Sequence, residues 1–197
     1  MNIQNNLITA RALKQRVGGL TLMSIFTFFW AAVAFYGLTG SAYRWLLLTF
    51  PVLCVLFVFH AVRIGRLAGS LPYEAPTDPE EEKRRKKLFL IISSAEGLGI
   101  FLGVNIVAIL GHPELRIAAI ALVVGLHFFP LAKVFKRNMD LYLGAWSTFI
   151  AVLAIVFTLN KTFSPDGMLV FTGIGLAVAT SIYGLNMIAG PVSADQL

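Results

Sequence analysis

A single cysteine, Cys54, stands in a chain of 197 residues. One thiol cannot form an intramolecular disulfide, and it cannot build a zinc or iron–sulfur site from paired cysteines. Charge is scarce as well. Asp, Glu, Lys and Arg make up 13% of the residues, against about 25% in a soluble domain. There is no phosphate-binding glycine loop, no HExxH, no GxSxG and no TVGYG-type filter, so the common motifs of soluble enzymes and potassium channels are missing. No metal or cofactor is expected, and an enzyme is the less favoured reading.

What the chain has instead is apolar surface, at 57% hydrophobic residues. A hydrocarbon core about 30 Å thick needs about 20 apolar residues per helix. The sequence supplies six such runs, at 17–38, 45–64, 88–110, 117–134, 141–160 and 168–189. The first run is longer than the roughly 7–15-residue core of a signal peptide, and further spans follow it. The breaks are turn-rich: Gly37 to Ser41, Gly111 to Glu114, and Asn160 to Gly167 with Pro165. Such residues supply the backbone angles that close a turn. The expected architecture is therefore all-α. A segment 1–16, cytoplasmic or interfacial through Leu7, Ile8 and Leu13, precedes a six-helix domain at 17–190. Its longest loop is 65–87, and a cytoplasmic tail occupies 191–197.

Basic residues orient the spans, because cytoplasmic loops carry the excess of Lys and Arg. Arg11, Lys14, Arg16, Arg63, Arg66, Lys83, Arg84, Arg85, Lys86, Lys87, Lys133, Lys136 and Arg137 fall on one side, while Arg44, Arg116 and Lys161 fall on the other. This predicts both termini inside and three like-oriented hairpins, spans 1–2, 3–4 and 5–6, in a cell membrane of bacterial inner-membrane type. The net charge of +6 then belongs to helix ends rather than to a nucleic-acid surface. Lys83 to Lys87 are a juxtamembrane cluster suited to anionic lipid headgroups, and Glu80 to Glu82 beside them suit pairing or a helix start.

An ionisable residue inside a span is costly and marks a functional candidate. Glu96 lies eight residues into span 3, about 12 Å deep by helix rise. His127 lies seven residues from the inner end of span 4, about 10 Å deep. Spans 3 and 4 share a short loop and should be antiparallel, so the two groups stand at matching depth on neighbouring helices. They are suited to share a proton or to bind a cation. The simpler alternative is a hydrogen bond that fastens two helices. Gly99 and Gly103 fall on the Glu96 face and permit close packing. Pro130 removes a backbone donor one turn below His127 and frees the carbonyl near 126. Tyr183 and Asn186 are expected at comparable depth in span 6 and would extend the same cluster. Asn105 is expected to bond another helix, and Asp140 to serve the N-terminus of span 5. His60 is read as interfacial, since a His60/His127 metal or haem site requires the two to meet.

Gly173, Ala177, Ser181 and Gly184 line one face of span 6. A stripe of small residues is a packing seam, and span 6 is the expected contact of a homo-oligomer. Three functions compete. The first is a small-solute or proton-linked transporter or channel using Glu96 and His127. The second is a non-transporting scaffold, sensor or assembly factor, and the third an intramembrane enzyme acting on a lipid.

Overall fold

The structure is a computed structural model that describes residues 10–72 and 78–190. It is all-helical. Helix α1 runs Ala10–Gly37, α2 Thr49–Ser70, α3 Pro79–Ile109, α4 Arg116–Phe135, α5 Asn138–Leu159 and α6 Pro165–Ala189. Short 3-10 helices at Ala42–Leu48 and Pro113–Leu115 lead into α2 and α4. Six helical stretches are long and apolar enough to cross a membrane.

Two helix starts depart furthest from the apolar runs, those of α3 and α1. Helix α3 begins nine residues before Leu88. Asp78 caps it by accepting from the Glu80 and Glu81 amides, and Pro79 occupies the first turn, where its missing N–H costs nothing. The acidic triplet sits at the positive end of the helix dipole. It pairs forward along the helix: Glu80 with Lys83 at 2.7 Å, Glu81 with Arg84 at 3.0 Å and Arg85 at 3.1 Å, Glu82 with Lys86 at 2.7 Å. The polar run is thus helix, and the 65–87 loop shrinks to the residues between Ser70 and Pro79. Helix α1 likewise begins at Ala10, within the segment read as 1–16, and buries Leu13. Leu7, Ile8 and the 191–197 tail lie outside the described residues.

The helices pack as a curved row in the order α2, α1, α6, α5, α4, α3, with α6 also touching α2 and α4. Helix α1 is tied to both of its neighbours by polar contacts. Ser24 Oγ donates to the Cys54 carbonyl and Cys54 Sγ donates to the Ser24 carbonyl, each at 3.3 Å. Thr27 donates to Thr180 at 2.8 Å, and Thr180 donates on to a carbonyl of its own helix. Trp30, Phe57, Leu20 and Leu176 fill the core around them.

Helix α6 has the largest buried share of the six spans. Its glycines admit three different neighbours. A Cβ on Gly173 would lie 2.6 Å from the Ala34 nitrogen and 2.7 Å from the Trp30 carbonyl oxygen of α1. One on Gly175 would meet Ile150 of α5, and one on Gly184 the Phe57 ring of α2. Ser181 is buried as well. This stripe of small residues is a packing seam against helices of the same chain. A period-four stripe looks the same whether its partner helix belongs to the same chain or to another copy.

Helix α3 is the opposite case, with no buried residue. It packs chiefly on α4. Its N-terminal extension also pairs with α1, Glu82 with Arg11 at 3.1 Å.

Candidate functional site: a carboxylate–imidazole pair between α3 and α4

The α3–α4 seam is antiparallel and in register. Gly103 faces Ala119, Gly99 faces Val123, and one further turn brings Glu96 to His127. The two glycines have no side chain to hold the helices apart, so a carboxylate and an imidazole one turn on can meet. His127 Nδ1 lies 3.4 Å from Glu96 Oε1, with 10% and 18% of the respective side chains exposed.

The same Nδ1 lies 2.6 Å from the Val124 carbonyl oxygen, one turn back on α4. A carbonyl can only accept, so Nδ1 carries the hydrogen and the neutral ring is protonated there. Glu96 is then a second acceptor beside an N–H already in use, and Nε2 holds the lone pair. When Nε2 takes up a proton, the resulting imidazolium stands against a carboxylate. When Glu96 takes it instead, both groups are neutral. Nδ1 rather than Nε2 faces Glu96, so a proton binds at Nε2 or at Glu96 at separate points, and the charge on one group acts on the other across the ring. The local backbone keeps His127 in place. Gly125 lets α4 approach α5 so closely that an added Cβ would sit 2.6 Å from the Thr148 nitrogen. Phe128 is buried, with its ring centroid 4.2 Å from that of His127. Pro130 is exposed and the helix continues through it to Phe135; by lacking an N–H it leaves the Leu126 carbonyl without its usual donor.

The other sequence candidates separate from this pair. Asn186 is exposed on α6. Tyr183 joins a different cluster, in which its Oη donates to Asp140 Oδ1 at 2.5 Å and both residues are buried. Asp140 is the group that sequence reasoning underrated. It stands in the first turn of α5, but its side chain bonds α6, and the N-cap residue Arg137 makes no side-chain cap bond. Arg137 acts electrostatically on both members. The matching-depth argument used for Glu96 and His127 applies here too: Asp140 begins α5 and Tyr183 lies near the end of antiparallel α6. Asn105 donates to the Phe101 carbonyl of its own helix at 2.6 Å and so bonds no other helix there. His60 is on α2, which packs on α1 and α6, whereas His127 is on α4. From Asp78 to Lys87 four acidic residues stand beside five basic ones, so this segment as a whole carries little net charge.

The Asp140–Tyr183 bond gives a direct stability expectation. Tyr183→Phe strands a buried carboxyl group and should cost about 1–3 kcal/mol. Asp140→Asn, which still accepts from Tyr183, should cost less. Thermal denaturation of the detergent-solubilised chain checks the order; equal losses would remove the bond from the account.

Comparison with family models, with curated proteins and with solved structures gave no match to this chain. The class is set by the helices alone: six apolar helices suggest a multi-pass membrane protein.

Proposed function

We propose that this chain is a six-span membrane protein, with both termini on the cytoplasmic side, that moves protons or a proton-linked small solute through a site made by Glu96 and His127. The observation that carries the reading is the 3.4 Å approach of a carboxylate and an imidazole at matching depth on two apolar helices. Ionisable groups at such depth are expensive, and pairs of them mark proton relays. Helix α3 brings Glu96 to the site while burying no residue of its own, so it can shift against α4 at little packing cost. Movement of α3 would part the pair and release the proton to a different side. Arg11–Glu82 would limit that movement at one end.

The exposed outer side of α3 favours a second reading, a scaffold that receives a partner helix there. Proton uptake separates the two. Vesicles containing the chain and a trapped pH-sensitive dye are given a potassium diffusion potential. Internal acidification should exceed that of protein-free vesicles. Glu96→Gln should lower the excess about a hundredfold, the low end of what a positioned proton-transfer group contributes, in protein that folds normally. No excess in the wild-type chain, or an unchanged rate in Glu96→Gln, overturns the proposal.

A further inference from the structure

A second feature lies away from the Glu96–His127 pair and is independent of it. Between α5 and α6 runs a groove of about 500 Å³, walled by Tyr142, Trp146, Phe149, Val178, Ile182 and neighbouring apolar groups. It opens sideways, where a membrane-embedded helix pair faces lipid. Its α5 wall extends from Met139 to Phe149, ten residues or about 15 Å of helix rise. That is about half of a 30 Å hydrocarbon core, the depth of one leaflet. At the deep end Trp146 is pinned by its Nε1 donating to the Gly175 carbonyl at 2.9 Å. Beyond it a separate cleft of about 810 Å³ begins.

The shallow end is charged. Lys136 and Arg137 join α4 to α5 immediately before Met139. Lys136 is exposed and held in a left-handed conformation, φ 53°, with its N–H on the Ala132 carbonyl. The Arg137 guanidinium lies 5.2 Å from the Phe135 ring centroid and acts on Tyr183, a groove residue, while its Nε has no hydrogen-bond partner. The Asp140 carboxylate at this end is buried and already accepts from Tyr183. Its oxygen is thus occupied, and two cations stand at this end of the groove.

We propose that this groove holds one acyl chain of an anionic phospholipid, with the lipid phosphate at Lys136 and Arg137. An apolar slot one leaflet deep, closed by an indole at the bilayer centre and cationic at the headgroup level, matches the two ends of such a molecule. A zwitterionic lipid fits the slot but gains less at its mouth, because its own ammonium offsets the phosphate.

Trp146 reports occupancy directly. The full chain is reconstituted in phosphatidylcholine vesicles carrying increasing fractions of phosphatidylglycerol or phosphatidylcholine with brominated acyl chains. The Trp146 signal is taken as the difference between wild type and Trp146→Phe. Brominated phosphatidylglycerol should reach half-maximal quenching at a mole fraction at least about fivefold lower, since each cation near the surface contributes about that factor. Lys136→Gln should remove about fivefold of the preference, and Lys136→Gln with Arg137→Gln all of it. If loss of Arg137 prevents folding, Lys136→Gln decides alone. Ala145→Phe, at an exposed wall position, should fill the slot and weaken quenching by both lipids. Equal quenching by the two lipids, a preference that survives Lys136→Gln undiminished, or an Ala145→Phe chain that quenches like wild type would each overturn the assignment.

Discussion

Gly173→Leu should destroy the folded chain rather than merely loosen an assembly of chains. Before any part of the leucine beyond its first carbon is considered, that carbon meets the Ala34 nitrogen at 2.6 Å and the Trp30 carbonyl oxygen at 2.7 Å. Both are helix backbone, so relief requires α1 and α6 to separate. Separation would break the Thr27–Thr180 bond and open the wall around Trp30. Overpacking of a well-filled core costs about 1–3 kcal/mol where side chains can yield; with backbone on the far side, a loss of about 3 kcal/mol or more is expected. In detergent this reads as a lost monodisperse peak and a melting transition that is lowered or absent. Gly97→Leu is the matched control. A Cβ there meets nothing within 4 Å, and its melting should match wild type. A Gly173→Leu chain that melts like wild type would mean that α1 and α6 do not pack as described.

The second large effect belongs to the pair. Glu96→Ala leaves His127 with one acceptor fewer, and His127→Ala leaves a carboxyl group between α3 and α4 without its imidazole. Each should lower stability by about 1 kcal/mol, in the range of interhelical polar contacts in membranes. The double variant should lose less than the sum, with a coupling of at least about 0.5 kcal/mol, as residues in contact do. Glu96→Gln distinguishes fastening from proton transfer. It can still hydrogen-bond, so stability should stay near wild type, yet it cannot titrate. Strict additivity of the two alanine changes would show that the groups do not share an interaction.

How much of this was legible in the sequence depends on how far apart the deciding residues are. The apolar runs and their turns mark six helices because lipid solubility is a property of contiguous residues. Glu96 and His127 were legible together because a short turn makes α3 and α4 neighbours and fixes their relative depth. Helix ends were less so. The start of α3 is decided by the Asp78 cap and by charge pairs spaced three or four apart, and a polar run reads as loop unless those pairs are counted. Asp140 reads locally as a dipole residue, since its partner Tyr183 is 43 positions away. The small residues of α6 announce close packing but not against whom; Gly173, Gly175 and Gly184 meet three separate helices. Asn105 shows the remaining ambiguity, because an amide in an apolar helix can be satisfied by its own backbone one turn away, as this one is.

The account rests on Glu96 taking up and releasing a proton beside His127 inside the helix pair. Infrared difference spectroscopy of the chain in bilayers, recorded across a pH titration, observes that event directly. The account predicts a protonated-carboxyl band that appears on acidification, is absent in Glu96→Gln and moves to a different pH in His127→Ala, because the charge state of the imidazole acts on the neighbouring carboxyl group. A titration identical in wild type and Glu96→Gln, with no carboxyl band assignable to Glu96, would contradict it.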